Sequence, residues 1–301
     1  MHPIIETRGL SFRYGKQQIL KDISLSVPSH SIYGFLGPNG AGKSTTIKVL
    51  LGLLKVPNDT AYLFEKDISR HRIPILSKVG NLIETPSIYG HLNAYDNLKI
   101  MRTLHPAPKA RIDEVLELVG LRQAARKKVK RFSMGMKQRL GIAMALFHDP
   151  DLLILDEPVN GLDPNGIQEV RALLLRLKEQ GKTIFLSSHL LAEIEKLCTH
   201  LGIIKEGGLI FQGQMRELQA GTRRFARIKT NNSAGAKAAL PTPLQNDAEI
   251  QGGWLIVDVP DDQHFRSMLQ ELINQGIEIY DMERQAPSLE DLFLDLVNLK
   301  S

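Results

Sequence analysis

Cysteine is nearly missing: Cys198 is the only one in 301 residues. No intrachain disulfide can form, which fits a reducing compartment and excludes a disulfide-stapled scaffold. Its apolar neighbours mark Cys198 as an ordinary helix residue rather than a reactive thiol. Long apolar runs are missing too, none approaching the roughly 20 residues that span a bilayer. Met1-His2-Pro3-Ile4-Ile5-Glu6 lacks a basic segment leading into an apolar core, so no secretion signal is expected. Charge of one sign is scarce, since 38 basic against 33 acidic side chains leave a formal net charge of only +5. The densest basic cluster, Arg126-Lys127-Lys128-Val129-Lys130-Arg131 after Arg122, has no interleaved aromatic residue. It reads as a solvated approach to the next motif rather than a surface for nucleic acid or anionic lipid.

What is present is an ordinary soluble composition, 43% hydrophobic and 24% charged, in a chain long enough for one large and one smaller domain. The opening stretch from Ile4 to Gly15 reads as edge strands closed by a turn. Gln18 to Val27 alternates polar and apolar residues over its second half, the period of a half-buried strand. Ser31–Leu36, Leu152–Leu155 and Thr183–Ser188 are continuous apolar runs of buried parallel strands. Helices are predicted from about Asn93 to Gln123, interrupted around His105–Pro108, and from Val170 to Gln180 before Gly181. After about Leu218 the composition shifts through a small, polar stretch, Thr230–Lys237. Strands near Arg224–Ile228, Trp254–Val259 and Ile277–Glu283, with helices near Gln263–Gln275 and Ser288–Leu299, predict a small α+β appendage without a catalytic constellation.

Gly37-Pro38-Asn39-Gly40-Ala41-Gly42-Lys43-Ser44 matches G-x-x-x-x-G-K-[ST] between a buried strand and a helix that continues through Thr45. Glycines let backbone N–H groups curl around phosphate oxygens, and the helix start adds partial positive charge. Lys43 suits β- and γ-phosphates, and the Ser44 hydroxyl suits Mg²⁺. A plain glycine turn would account for the glycines but not for the Lys-Ser pair. Leu152-Leu153-Ile154-Leu155-Asp156-Glu157-Pro158 ends a buried strand in two carboxylates. Asp156 is placed to hold Mg²⁺, and Glu157 to activate water as general base. Ser188-His189 ends the next strand, where His189 can bridge a terminal phosphate and an attacking water. Ser133 caps a helix starting Met134-Gly135-Met136-Lys137-Gln138-Arg139, a second anion-facing device. One copy thus carries two phosphate-facing devices, and two copies head to tail would satisfy both.

These motifs resemble those of the ATP-binding subunits of ABC transporters over roughly residues 4 to 220. Gly37–Ser44 is similar to their Walker A, Leu152–Glu157 to their Walker B and Phe132–Arg139 to their signature. Asn160-Gly161-Leu162-Asp163 is similar to their D-loop and His189 to their switch histidine. The resemblance implies an α/β P-loop NTPase core: a mixed sheet with helices, an antiparallel β edge and a helical signature subdomain, followed by the small C-terminal α+β appendage. The expected domains are 1–220, the ATPase, and 221–301, the accessory domain. It further implies ATP and Mg²⁺ as ligands, Tyr14 stacked on adenine, and phosphate contacts from Pro38, Asn39, Gly40, Ala41, Gly42, Lys43, Ser44 and Thr45. Ser133 and Gly135 would serve the nucleotide of a second copy, and Asp163 would be a further nucleotide-binding residue.

Two departures stand out. Met134 and Met136 replace a glycine and the glutamine of the usual Ser-Gly-Gly-Gln signature. Glu84, in Val79-Gly80-Asn81-Leu82-Ile83-Glu84-Thr85-Pro86, takes the place of a glutamine that reaches metal and water. Glu84 there, the run from Ile83 to Leu98 and the segment Ser288–Leu294 resemble the bacitracin-resistance and lantibiotic-immunity exporters. The resemblance thus implies an exporter ATPase bound to a separate transmembrane permease at the cytoplasmic membrane face, with a peptide antibiotic or lipid-like cargo. A soluble ABC ATPase acting on nucleic acid or ribosomes is the rival reading. Those proteins usually carry two cassettes or long coiled-coil insertions, neither of which appears. An inactive regulator is disfavoured by Glu157 and His189.

Overall fold

The computed structural model describes residues 3–83, 86–220, 225–259, 262–285 and 288–298. The chain divides into two compact units, Met1–Met215 and Arg216–Ser301.

In the first unit the apolar runs become the middle of a six-stranded sheet. Its order is Gly208–Gln214, His200–Lys205, Ile32–Leu36, Thr183–Ser188, Leu152–Asp156 and Val79–Leu82. All neighbours run parallel except the hairpin Gly208–Gln214 with His200–Lys205. Every residue of Ile32–Leu36, Leu152–Asp156 and Thr183–Ser188 is buried, as strands covered on both faces must be. Parallel alignment carries the C-terminal ends of these three strands to one edge of the sheet, where the loops bearing the motifs emerge.

The amino-terminal segment departs from the expected edge strands. Pro3–Thr7 lies inside a four-stranded antiparallel sheet, between Ser26–Pro28 and Ala61–Leu63, so its backbone is paired along both edges, and Ile4 and Ile5 are buried. Gln17–Ile23 and Ser26–Pro28 are separate strands, the former pairing with Leu10–Tyr14. The helical part contains Ala94–Leu104, Ala110–Leu118 and Met134–Ala145, the first ending before the expected interruption at His105–Pro108. The helix expected from Val170 begins earlier, at Pro164, because Asp163 caps it and proline is preorganised for the first turn. Cys198 directly follows the helix Leu191–Leu197 and is buried, which pushes its thiol pKa up.

The second unit has an antiparallel sheet in the order Glu249–Gln251, Trp254–Asp258, Phe225–Thr230, Ile279–Gln285. Its core gathers Ala226, Ile228, Leu255, Val257, Met268 and Leu272. The small polar stretch after Thr230 is largely helical, Ser233–Ala239 followed by Thr242–Asp247. Asn232 starts the first of these by accepting from the Gly235 N–H, and Ala236 is fully buried. Among the described residues, no helix is long and apolar enough to cross a membrane.

Candidate functional site: a phosphate loop facing paired carboxylates

The loop after Ile32–Leu36 leads into the helix Lys43–Leu50, and its glycine geometry is specific. Gly42 has φ 113°, and a Cβ there would come within 2.7 Å of a Leu20 methyl. Only glycine fits both the left-handed backbone and that close approach. Ala41, Gly42 and Lys43 are buried, whereas Pro38, Asn39, Gly40 and Ser44 are exposed and Thr45 is half-buried. The Lys43 ammonium folds back along the loop, donating to the carbonyl oxygens of Gly37 at 2.7 Å and Pro38 at 3.2 Å. Burial lowers the Lys43 pKa, opposed by attraction to Glu157 and Asp156. Those carboxylates therefore act on the same ammonium that the loop holds.

Asp156 ends its strand 4% exposed. Its partner in register on the adjacent strand is Ser187, whose hydroxyl donates to Asp156 Oδ1. Glu157 turns sharply out of the strand with φ 51°, a left-handed conformation unusual for a residue with a side chain. Its N–H is held by Ser187 Oγ at 3.0 Å and by the Ser187 carbonyl at 3.2 Å. Its carboxylate Oε2 accepts from His189 Nδ1 at 2.8 Å. Next to His189, the Ser188 hydroxyl accepts from the Leu190 N–H, shaping the turn after the strand. The structure therefore joins Asp156, Glu157 and His189 into one cluster. Ser187 belongs to it although no motif marks it; its only signal is its position opposite Asp156 across the sheet.

The capped helix start expected to face an anion lies at the beginning of Met134–Ala145. Ser133 Oγ accepts from the Met136 N–H at 3.2 Å, as a helix cap requires, and Ser133 is exposed. A Cβ on Gly135 would lie 3.6 Å from Gly166 Cα, so this helix start lies beside that of Pro164–Glu179. Asp163 is exposed, and its Oδ1 is engaged with the Gly166 N–H at 2.9 Å. Met134 is 46% exposed and Met136 half-buried. Tyr14 ends the strand Leu10–Tyr14, 49% exposed, with its ring edge-on to Phe12 at 4.9 Å between centroids.

Glu84 lies outside the described residues. Its flanks Ile83 and Pro86 line a cleft of about 530 Å³ with Met101, His105, Met144 and His148. Gly141 of the signature helix lies so close to Pro86 that a Cβ would approach it to 2.8 Å. The basic cluster is partly spoken for: Arg126 stacks over Tyr95 at 4.3 Å, and Arg122 pairs with Asp113.

Comparison with known proteins agrees with this geometry. The ABC transporter family model matches residues 20–160, and a model of the C-terminal domain of DrrA1-3-like ATP-binding proteins matches residues 213–297. The bacitracin transport ATP-binding protein BcrA of Bacillus licheniformis is 41% identical over 302 residues, covering 99% of this chain and 98% of its own. The lantibiotic transport ATP-binding protein SrtF of Streptococcus pyogenes is 43% identical over 209 residues, 69% of this chain and 90% of its own. Among solved structures, cbiO1 of Clostridium perfringens, part of the ABC transporter complex cbiONQ, matches with TM-score 0.68 at 27% identity. That match covers 73% of this chain and 92% of the other. With a phosphate loop, a carboxylate pair and a capped signature helix on this fold, the chain belongs to the ATP-binding subunits of ABC transporters and is an ATPase.

Proposed function

We propose that the chain drives an exporter: two copies close head to tail on two ATP, act on a separate permease at the cytoplasmic membrane face, and reopen after hydrolysis. The observation that carries this reading is the division of phosphate-facing devices within one chain. The loop around Lys43 and the capped helix start at Ser133 and Gly135 are separate, and a second copy supplies the complement. Tyr14 stacks on adenine, while the residues from Pro38 to Thr45 hold the phosphates. Glu157 takes the proton of the attacking water, held in aim by its bond to His189, which senses the γ-phosphate. Ser133 and Gly135, with Asp163 beside them, face the nucleotide of the other copy.

The residues fit Mg²⁺. Ser44 offers an exposed hydroxyl and Asp156 an oriented carboxylate, the hard oxygen donors that Mg²⁺ takes together with phosphate oxygens and water. When bound, Mg²⁺ supplies charge neutralisation at the β- and γ-phosphates. Glu84 joins this set and links hydrolysis to the permease, a reading supported by its place in the sequence, where relatives of this kind carry a glutamine that reaches metal and water. The full-length likeness to a bacitracin transport protein supports a peptide antibiotic or lipid-like cargo.

Affinity purification from membranes tests the reading. Recovery of a polytopic membrane protein in stoichiometric amount is expected, and recovery of ribosomes or RNA in its place would overturn it.

A further inference from the structure

We propose that Ser187 is a positioning residue for hydrolysis, one buried hydroxyl that clamps Asp156 and Glu157 together. This rests on the roles proposed above for those two carboxylates. Ser187 is fully buried, so no water competes for its hydroxyl. A serine hydroxyl has a single proton, and here it goes to Asp156 Oδ1 at 2.5 Å. The Ser187 oxygen simultaneously accepts the Glu157 N–H at 3.0 Å. The two bonds fix different things: the first sets the rotation of the Asp156 carboxylate, the second anchors the left-handed turn at Glu157. That turn carries the Glu157 side chain out of the sheet toward His189.

The arrangement depends on register. Ser187 stands opposite Asp156 in the parallel pairing of Thr183–Ser188 with Leu152–Asp156. A valine or isoleucine would satisfy the strand equally well, but would leave the Asp156 oxygen and the Glu157 amide without this partner. The hydroxyl therefore serves the site rather than the strand.

The test is a matched pair, Ser187→Thr and Ser187→Val, which differ by a hydroxyl at nearly constant volume. Turnover of ATP, KM for ATP, melting temperature and Mn²⁺ binding to the nucleotide complex by electron paramagnetic resonance are read for each. Ser187→Val should lose about tenfold to a hundredfold in kcat, the size of a small misplacement of reacting groups, with KM changed less than about twofold. Its Mn²⁺ spectrum should broaden or its half-saturation rise, while Ser187→Thr keeps both near wild type. Equal losses in the two variants would assign the effect to packing and overturn the proposal, as would full activity in Ser187→Val. Asp156→Asn and Glu157→Gln serve as controls. If they retain turnover, the roles of the carboxylates fall and the clamp with them. If they lose it while Ser187→Val does not, only the clamp falls.

Discussion

His189 Nδ1 lies 2.8 Å from Glu157 Oε2, so the ring N–H donates and the carboxylate accepts. The two side chains come from the ends of adjacent parallel strands, and the contact joins the proposed base to its proposed sensor. With Nδ1 carrying the proton, a neutral ring presents Nε2 as an acceptor.

Glu157→Gln keeps the size of the side chain but removes its basicity. Turnover is expected to fall about 10²–10⁴-fold, the usual range for loss of a general base. The variant should accumulate as an ATP-bound dimer, measured by size-exclusion chromatography with light scattering. A monomer at saturating ATP would contradict the head-to-tail model.

Glu84→Ala should lower permease-coupled ATPase activity and transport more than ATP affinity. Assay of the reconstituted transporter beside nucleotide titration of the isolated subunit separates the two effects. Unchanged coupled turnover would remove Glu84 from the switch.

Asp163→Ala removes the oxygen that accepts the Gly166 N–H at the start of Pro164–Glu179. Loss of such a cap costs about 1 kcal/mol. In a unit of this size that is a fall of about 2–4 °C in Tm by calorimetry. Asp163→Asn, which keeps an acceptor oxygen, should retain most of it. An unaltered Tm in the alanine variant would show the cap to be inert.

His148 gives the fold a pH dependence of definite sign. Its pKa is lowered from the usual 6.5, chiefly by burial and next by His105, whose ring stacks on it at 4.6 Å, with Arg111 adding to the shift and the Val79 carbonyl and Asp149 opposing it. Below that value the unfolded chain takes up a proton that the folded chain resists, so stability declines as pH falls and is fully present above it. Thermal melts between about pH 5 and pH 7 should show Tm rising with pH, with a shallower slope in His148→Gln. An identical slope in the variant would assign the dependence to other groups.

The phosphate loop, the carboxylate pair and the capped signature helix are all legible in the chain, because each needs particular residue types at fixed local spacing. Gly42 must be glycine for a backbone reason, and Ser133 must offer a short oxygen to the N–H three residues on. The central strands are equally legible, since a strand covered on both faces cannot afford a polar residue in its middle. Elsewhere, local pattern misleads where tertiary cover decides. Pro3–Thr7 looks like an edge until Ser26–Pro28 and Ala61–Leu63 enclose it. Ser233–Ala239 reads only as a small, polar stretch until Ala236 finds a core and Asn232 a helix to cap.

The amino-acid sequence by itself determined the family, the phosphate loop and the identity of the acidic and histidine groups, because these are written in contiguous residues. Only the tertiary structure decided that Ser187 holds Asp156 and Glu157 at once, and that His189 reaches Glu157. Both depend on the register between two parallel strands joined through a long crossover. That register is set by packing of the whole sheet, and nothing in either strand alone specifies it.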